Sequence, residues 1–194
     1  MRTLFKLLPL TLLAMSAFAP AQNNPPAVPA PAAAEASPWS DFNRQAFGQL
    51  SAWVRKSAEK MPEESYGFKP TESVRSFGQI VGHVADSQYL FCSAVLGVTN
   101  PAPKIEASKT TKRELVPALQ SAFAYCDAAY ASMTDLAGAQ NVKFIWGDMP
   151  KITLLNANAV HLAEHYGNIV TYLRIRGIVP PSSEPGALPP RKDQ

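Results

Sequence analysis

The sequence predicts an all-α protein built as a four-helix bundle, and three observations support this fold class. Four segments of similar length carry apolar residues at helical spacing, so each segment has one apolar face. Proline-containing connections separate these segments, and the alternation typical of strands is almost absent. At 194 residues the chain is long enough for one such domain and for tails outside it.

The first two helices are predicted from their apolar pattern and from the residues at their ends. The first covers about residues 39–60 and ends before Pro62. Its apolar face consists of Phe42, Ala46, Leu50, Trp53 and Val54. The second helix begins after Ser76, whose hydroxyl suits an N-cap, and it ends near Gly97.

The third and fourth helices are predicted in the same way. The third opens with Thr111 and Glu114 in the spacing of a capping box and continues to about residue 136. Pro117 is expected to bend its first turns or to move its start later. The fourth begins after Pro150 and ends at Gly177, and residues 142–147 before it form a short extended or loop stretch.

The two cysteines connect the topology of the bundle to a disulfide. Cys92 and Cys126 each follow the start of their helix by sixteen residues, so parallel helices would bring them to the same level. Antiparallel helices would separate them by about 15 Å along the bundle. The connection over residues 98–109 is long enough to return the chain for a parallel pair. An up-down-down-up order and a Cys92–Cys126 disulfide therefore imply each other, and the alternative is two buried free thiols.

The N-terminal residues have the pattern of an export signal, which divides the chain into four parts. Arg2 and Lys6 precede an apolar run that is too short to span a membrane, and cleavage is expected after Ala19 or Ala21. Residues 1–21 are thus a predicted signal peptide, residues 22–38 a Pro/Ala-rich disordered spacer, residues 39–178 the bundle and residues 179–194 a Pro-rich disordered tail. The mature protein is expected in the periplasm or outside the cell, where cysteines form disulfides.

Charge and hydropathy exclude two classes of function. The formal net charge is +3, and it falls to +1 when the predicted signal peptide is removed. Such a balance does not provide the basic surface that nucleic-acid binding requires. No second apolar run approaches the length of a membrane span, so none is expected after signal cleavage.

Three histidines form the candidate functional site. His161 and His165 lie four residues apart and share one face of the fourth helix, and His83 lies in the second helix. A facing arrangement would provide three imidazole nitrogens for zinc, nickel, iron or copper, with a coordination position open for water or substrate. The alternative interpretation is that these histidines are ordinary packing or surface residues.

Histidines that bind a metal usually donate their second ring nitrogen to an oxygen acceptor. Asp86, three residues after His83, and Asn158, three residues before His161, are the candidate acceptors. Glu164 lies between the two histidines of the fourth helix in sequence, but it points away from both and is expected to be exposed.

Around these histidines the chain resembles the DinB-like family (DinB/YfiT-like superfamily) of metal-binding four-helix bundles. The resemblance covers about residues 40–178 and rests on two motifs, Phe77-Gly-Gln-Ile-Val-Gly-His-Val-Ala-Asp86 and His161-Leu-Ala-Glu-His-Tyr-Gly-Asn168. It implies the up-down-down-up order. It also implies that His83, His161 and His165 bind a divalent metal ion, zinc or nickel first and iron as a further candidate.

The resemblance implies a metal-dependent enzyme of hydrolase or thiol-transferase type that acts on a small molecule. An exported protein has less access to cytosolic thiol cofactors, which counts against thiol transfer. Two alternatives stay open: a metal-binding module without turnover, and a helical module that binds a partner through loop aromatics. Those aromatics are Tyr66, Phe68, Phe144 and Trp146. A homodimer is compatible with a bundle that has spare apolar surface.

Overall fold

The computed structural model describes residues 36–187, which form six α-helices, two short 3₁₀ helices and one two-stranded hairpin. The predicted signal peptide and nearly all of the predicted spacer lie outside these residues. In chain order the elements are α1 (Pro38–Lys60), α2 (Phe77–Leu96), α3 (Ile105–Ser108), α4 (Lys112–Ala131), α5 (Asp135–Gly138), β1 (Asn141–Phe144), β2 (Gly147–Pro150) and α6 (Lys151–Ile175). The four long helices confirm the predicted all-α fold class, and α3, α5 and the hairpin belong to the connections.

A capping box and a glycine set the two ends of α2, as the sequence predicted. The Ser76 hydroxyl accepts a hydrogen bond from the backbone N–H of Gln79, and the Gln79 side chain accepts one from the backbone of Ser76. This capping box satisfies two donors that the first turn of a helix leaves unpaired. At the other end, Gly97 adopts a positive φ of 70°, which glycine adopts without strain.

The second predicted capping box is also present, and the helix begins there without the later start considered for Pro117, but its predicted end is wrong. Thr111 and Glu114 cap α4, which starts at Lys112 with Pro117 inside it. Pro117 removes only one intrahelical hydrogen bond, and the capped first turn fixes the start before it. The helix ends at Ala131 and not near residue 136, because Thr134 caps the separate short helix α5 by accepting from Ala137.

The stretch predicted as extended or loop forms an antiparallel hairpin. Asn141 pairs with Pro150, and Phe144 pairs with Gly147, whose φ of 109° lies in the region that favours glycine. The Phe144 ring stacks on Phe91 of α2, with the two ring centroids 5.1 Å apart. The centroid of the Trp146 ring lies 5.0 Å from that of Phe144. The hairpin therefore packs against the bundle as an aromatic lid on one side of α2.

The disulfide predicted from the cysteine spacing is present and fixes the direction of two helices. Cys92 and Cys126 are bonded, with their Cα atoms 5.4 Å apart. Each lies near the same depth in its helix, so α2 and α4 are parallel. The connection between them, residues 97–111 with α3 inside it, returns along the length of the bundle.

The directions of the other two long helices follow from side-chain contacts between them. Asn156 donates to Asn43 near the start of both α6 and α1, and Trp53 stacks on Tyr166 further along, so these helices are parallel. Phe77 at the start of α2 contacts Tyr172 near the end of α6, which makes that pair antiparallel. The order is therefore up-down-down-up, as predicted.

The core lies between the four long helices and is dominated by large apolar side chains. Phe47 of α1 stacks on Tyr130 and meets Phe123 edge-on, which joins α1 to α4. The largest fully buried apolar side chains are Tyr130, Phe47, Phe77, Met61, Leu115, Leu119, Leu154, Leu155, Leu162, Ile169 and Leu173. This core holds the facing surfaces of α2 and α6 at a fixed distance.

Part of the predicted disordered tail packs on the bundle. Pro180 and Pro181 are buried, and the carboxylate of Glu184 pairs with Lys56 and Lys60 of α1. The expectation of disorder is thus wrong for residues 179–187, because the buried prolines and the ion pairs of Glu184 hold this segment against the bundle. Residues 188–194 lie outside the described part of the chain.

None of the helices within residues 36–187 combines the length and the hydropathy of a membrane span.

Candidate metal centre

The three predicted histidines meet in the space between α2 and α6. The Nε2 atom of His161 lies 3.0 Å from Nε2 of His165 and 3.3 Å from Nε2 of His83. Among residues 36–187, this is the group of histidine, cysteine and acidic side chains that could hold a metal ion. The meeting follows from the fold, since antiparallel packing sets the early turns of α2 against the middle of α6.

The three nitrogens have the spacing of ligands around one ion. Tetrahedral ligands about 2.0–2.1 Å from zinc lie about 3.3–3.4 Å from each other. The observed separations of 3.0 and 3.3 Å are close to this value. The three ring nitrogens thus converge as the ligands of a single ion do, and the group could hold a metal ion.

Electrostatics keep the imidazoles in the neutral form that binds metals. Burial and, after it, the neighbouring imidazole of His165 together lower the pKa of His161 to about 4. Burial also lowers the pKa of His83 and of His165, with contributions from the Arg75 guanidinium and from the other histidines. At neutral pH all three are therefore available as ligands.

Glu106, in the connection between α2 and α4, orients His83 and was not among the predicted site residues. The Nδ1 atom of His83 lies 3.3 Å from Oε2 of Glu106. The other carboxylate oxygen accepts from Nε of Arg75 at 2.9 Å. A carboxylate at this position favours the proton on Nδ1, which would leave the Nε2 lone pair of His83 facing the other two histidines.

Asp86 has a different role from the one predicted. Its carboxylate accepts the backbone N–H groups of Ile105 and Glu106, at 2.6 and 2.9 Å, and so caps α3. The prediction that Asp86 would bond His83 is wrong, because Nδ1 of His83 faces Glu106 instead. Gly82 allows the close approach, since a Cβ there would lie 2.7 Å from Cα of Glu106. Asp86 and Gly82 thus position Glu106 instead of contacting the histidines.

Asn158 also lies away from the predicted position. It is fully buried, and its amide donates to Oε1 of Gln88 at 2.9 Å and to the Tyr130 hydroxyl at 3.3 Å. The same amide lies 3.8–3.9 Å from the sulfur atoms of the disulfide. It belongs to a polar layer beside the disulfide, and the prediction that it would bond His161 is wrong.

Comparison with known proteins identifies the family of this chain. Residues 46–169 match the sequence model of the DinB superfamily. The chain belongs to the DinB superfamily. This confirms the resemblance inferred from the two histidine motifs. None of the curated proteins compared with the chain matches it.

Solved structures show the same fold at low sequence identity. A DinB-like protein from Bacillus cereus is 15% identical with a TM-score of 0.64, over 73% of this chain and 95% of that one. A DinB-like protein from Bacillus subtilis is 20% identical with a TM-score of 0.58, over 70% and 92%. A mycothiol-dependent maleylpyruvate isomerase is 13% identical with a TM-score of 0.52, over 69% of this chain and 65% of that one.

In this DinB protein the histidines of α6 are held differently from His83. The Nδ1 atoms of His161 and His165 are buried and have no hydrogen-bond partner among the described residues. The His161 ring instead packs against Phe91, with centroids 5.7 Å apart. The carboxylate of Glu106 therefore orients His83, while packing holds the two histidines of α6.

Two cavities adjoin the triad, one at His83 and one at His165. One, of about 610 Å³, is lined by His83, Asp86, Lys104 and Glu106 among others. The second, of about 500 Å³, is lined by His165 and by Arg75, with neutral polar residues around them. Both are large enough for a small molecule, so the DinB site is accessible from solvent.

Proposed function

We propose that this DinB protein binds one divalent ion, zinc or nickel, through His83, His161 and His165 and acts as a metal-dependent enzyme on a small molecule. The observation that carries the proposal is the convergence of three neutral Nε2 atoms at the spacing of metal ligands. When bound, such an ion supplies Lewis acidity, which makes water or a thiol a better nucleophile at neutral pH.

The residues of the chain contribute binding and access. Three protein ligands leave a coordination position for a reactant, and the two adjoining cavities allow one to enter. Hydrolysis is favoured over thiol transfer because the disulfide between Cys92 and Cys126 fits an oxidising compartment. The fold shared with a mycothiol-dependent isomerase keeps thiol transfer as the second reaction to test.

Elemental analysis of the protein purified without a histidine tag tests the metal site. We expect close to one equivalent of zinc or nickel in the wild type and little in the His161→Ala/His165→Ala double variant. Loading the metal-free proteins with each ion provides the matched comparison. If the wild type takes up no ion under any of these conditions, the site does not bind metal.

A metal-binding module without turnover is the second candidate, and one observation favours it. The two carboxylates next to the triad are both engaged, Asp86 by the N-terminus of α3 and Glu106 by His83 and Arg75. No free general base follows from these contacts. A screen of small esters, amides and lactones with metal-loaded protein separates the candidates: metal-dependent stabilisation without hydrolysis of any of them would support the module.

We further propose that the chain is exported and cleaved after Ala19 or Ala21. The disulfide supports this proposal, because such bonds persist in the periplasm and outside the cell. Mass spectrometry of the protein from fractionated cells tests it. A mature chain that begins at residue 20 or 22 is expected, and a full-length chain in the cytoplasm would contradict export.

A further inference from the structure

The cavity beside His165 differs in charge from the cavity beside His83. Among the described residues that line it, Arg75 is the charged one, and neutral hydrogen-bonding side chains surround it. Those neutral residues are Thr71, Ser73, Asn168 and Thr171. The cavity beside His83 contains the carboxylates of Asp86 and Glu106 and the ammonium of Lys104. The His83 cavity thus has two carboxylates against the single ammonium of Lys104, whereas the His165 cavity has one guanidinium and no lining carboxylate.

Arg75 is held in place with part of its guanidinium unused. Its backbone carbonyl accepts a hydrogen bond from the Tyr172 hydroxyl at 2.6 Å, and its Nε donates to Glu106 at 2.9 Å. Within residues 36–187, Glu106 is the hydrogen-bond partner of this side chain, which leaves both Nη nitrogens for a ligand. A guanidinium fixed in this way is suited to bind a carboxylate with two parallel bonds.

We infer that the cavity beside His165 binds the anionic group of the substrate, and that Arg75 is the residue that selects it. The substrate class is then a small molecule with a carboxylate or a similar oxyanion. The inference rests on the proposed function for the role of this ligand as a substrate. The anion site itself depends only on the cavity, on the guanidinium and on the lack of an acidic side chain among the lining residues.

Binding of malonate, with malonamide as its uncharged counterpart, tests the inference on the wild-type protein. Backbone amide resonances in NMR spectra report binding, first on metal-free and then on zinc-loaded protein. We expect malonate to shift the resonances of Thr71, Asn168 and Thr171 and malonamide to leave them unchanged. Absence of malonate binding in both forms, or equal binding of malonamide, would overturn the inference.

Variants of arginine residues identify the group responsible. Arg75→Gln is expected to weaken malonate binding at least about tenfold, because it removes charge-assisted hydrogen bonds. Arg75→Lys keeps the charge and the pairing with Glu106 and should recover part of the affinity. Arg174→Gln is the matched control, since Arg174 is exposed and bonds Ser183 beside a different cavity. Equal malonate affinity in Arg75→Gln and the wild type would refute the assignment.

The same samples distinguish failure of the anion site from failure of the proposed metal site. The zinc content of each loaded protein is measured before malonate is added. A wild type that holds no zinc but binds malonate through Arg75 would refute the metal site and keep the anion site. If the wild type holds zinc and Arg75→Gln binds malonate as tightly as the wild type does, the anion site is refuted and the metal site is kept.

Discussion

Replacing Glu106 by alanine removes the acceptor that orients His83, and we expect this change to weaken zinc binding. Loss of such a partner usually lowers metal affinity by about 10–100-fold. The side chains of His83 and Glu106 are only 24% and 26% exposed, so solvent screens their contact less than it screens a surface pair. The bond is long, at 3.3 Å, and the carboxylate is shared with Arg75. We therefore expect a loss in the lower half of the range, about 10–30-fold.

Competition with a chromophoric chelator measures the zinc affinity, and thermal unfolding of the metal-free proteins shows whether the fold is intact. Glu106→Gln keeps an oxygen acceptor and should recover much of the affinity. Glu164→Ala is the control for charge, because Glu164 is exposed and next to His165 in sequence. Unchanged affinity in Glu106→Ala would refute the reasoning. An equal loss in Glu164→Ala would show that the effect is one of charge and not of orientation.

The remaining predictions concern the support of the site and the stability of the bundle. Gly82→Ala should lower zinc affinity with Glu106 still present, because the new Cβ would lie 2.7 Å from Cα of Glu106; an unchanged chelator titration would contradict this. In metal-free protein the pKa of His161 is about 4 in the folded state against 6.5 in the unfolded chain, so the unfolded chain takes up this proton at a higher pH. Stability in urea should thus fall from pH 6.5 to 4, and His161→Gln should reduce the slope by up to about 1.4 kcal/mol per pH unit; parallel slopes would contradict this. Replacing Cys92 and Cys126 by alanine should lower the free energy of unfolding in urea by about 3–4 kcal/mol, because the bond closes a loop of 34 residues. Equal midpoints for both proteins would be the contrary result.

The sequence predicted the helices and the histidines because these features depend on local patterns. Ser76 and Thr111 marked helix starts by the same capping chemistry that the structure shows. The cysteine spacing predicted the parallel pair of helices, since a disulfide requires its residues to lie at one level. Such inferences use distances along one helix, which the 1.5 Å rise per residue fixes.

The partner of His83 could not be predicted in this way because it comes from an irregular connection. Glu106 follows His83 by 23 positions, and no periodic pattern places it near the histidine. One signal was available, since glycine inside a helix is unfavourable and often marks a close approach. Gly82 directly precedes His83, and Asp86 is one turn further along. Together they indicate that another segment packs against this face, although not which residue it contributes.

Helix α2 carries both a cysteine of the disulfide and a histidine of the triad. The disulfide at Cys92 links it to α4, and the triad at His83 faces α6. The two positions are nine residues apart, about 13–14 Å along the helix, so they belong to separate layers of the core. The disulfide therefore fixes α2 against α4 independently of the triad. The orientation of His83 depends instead on the crossover that carries Glu106.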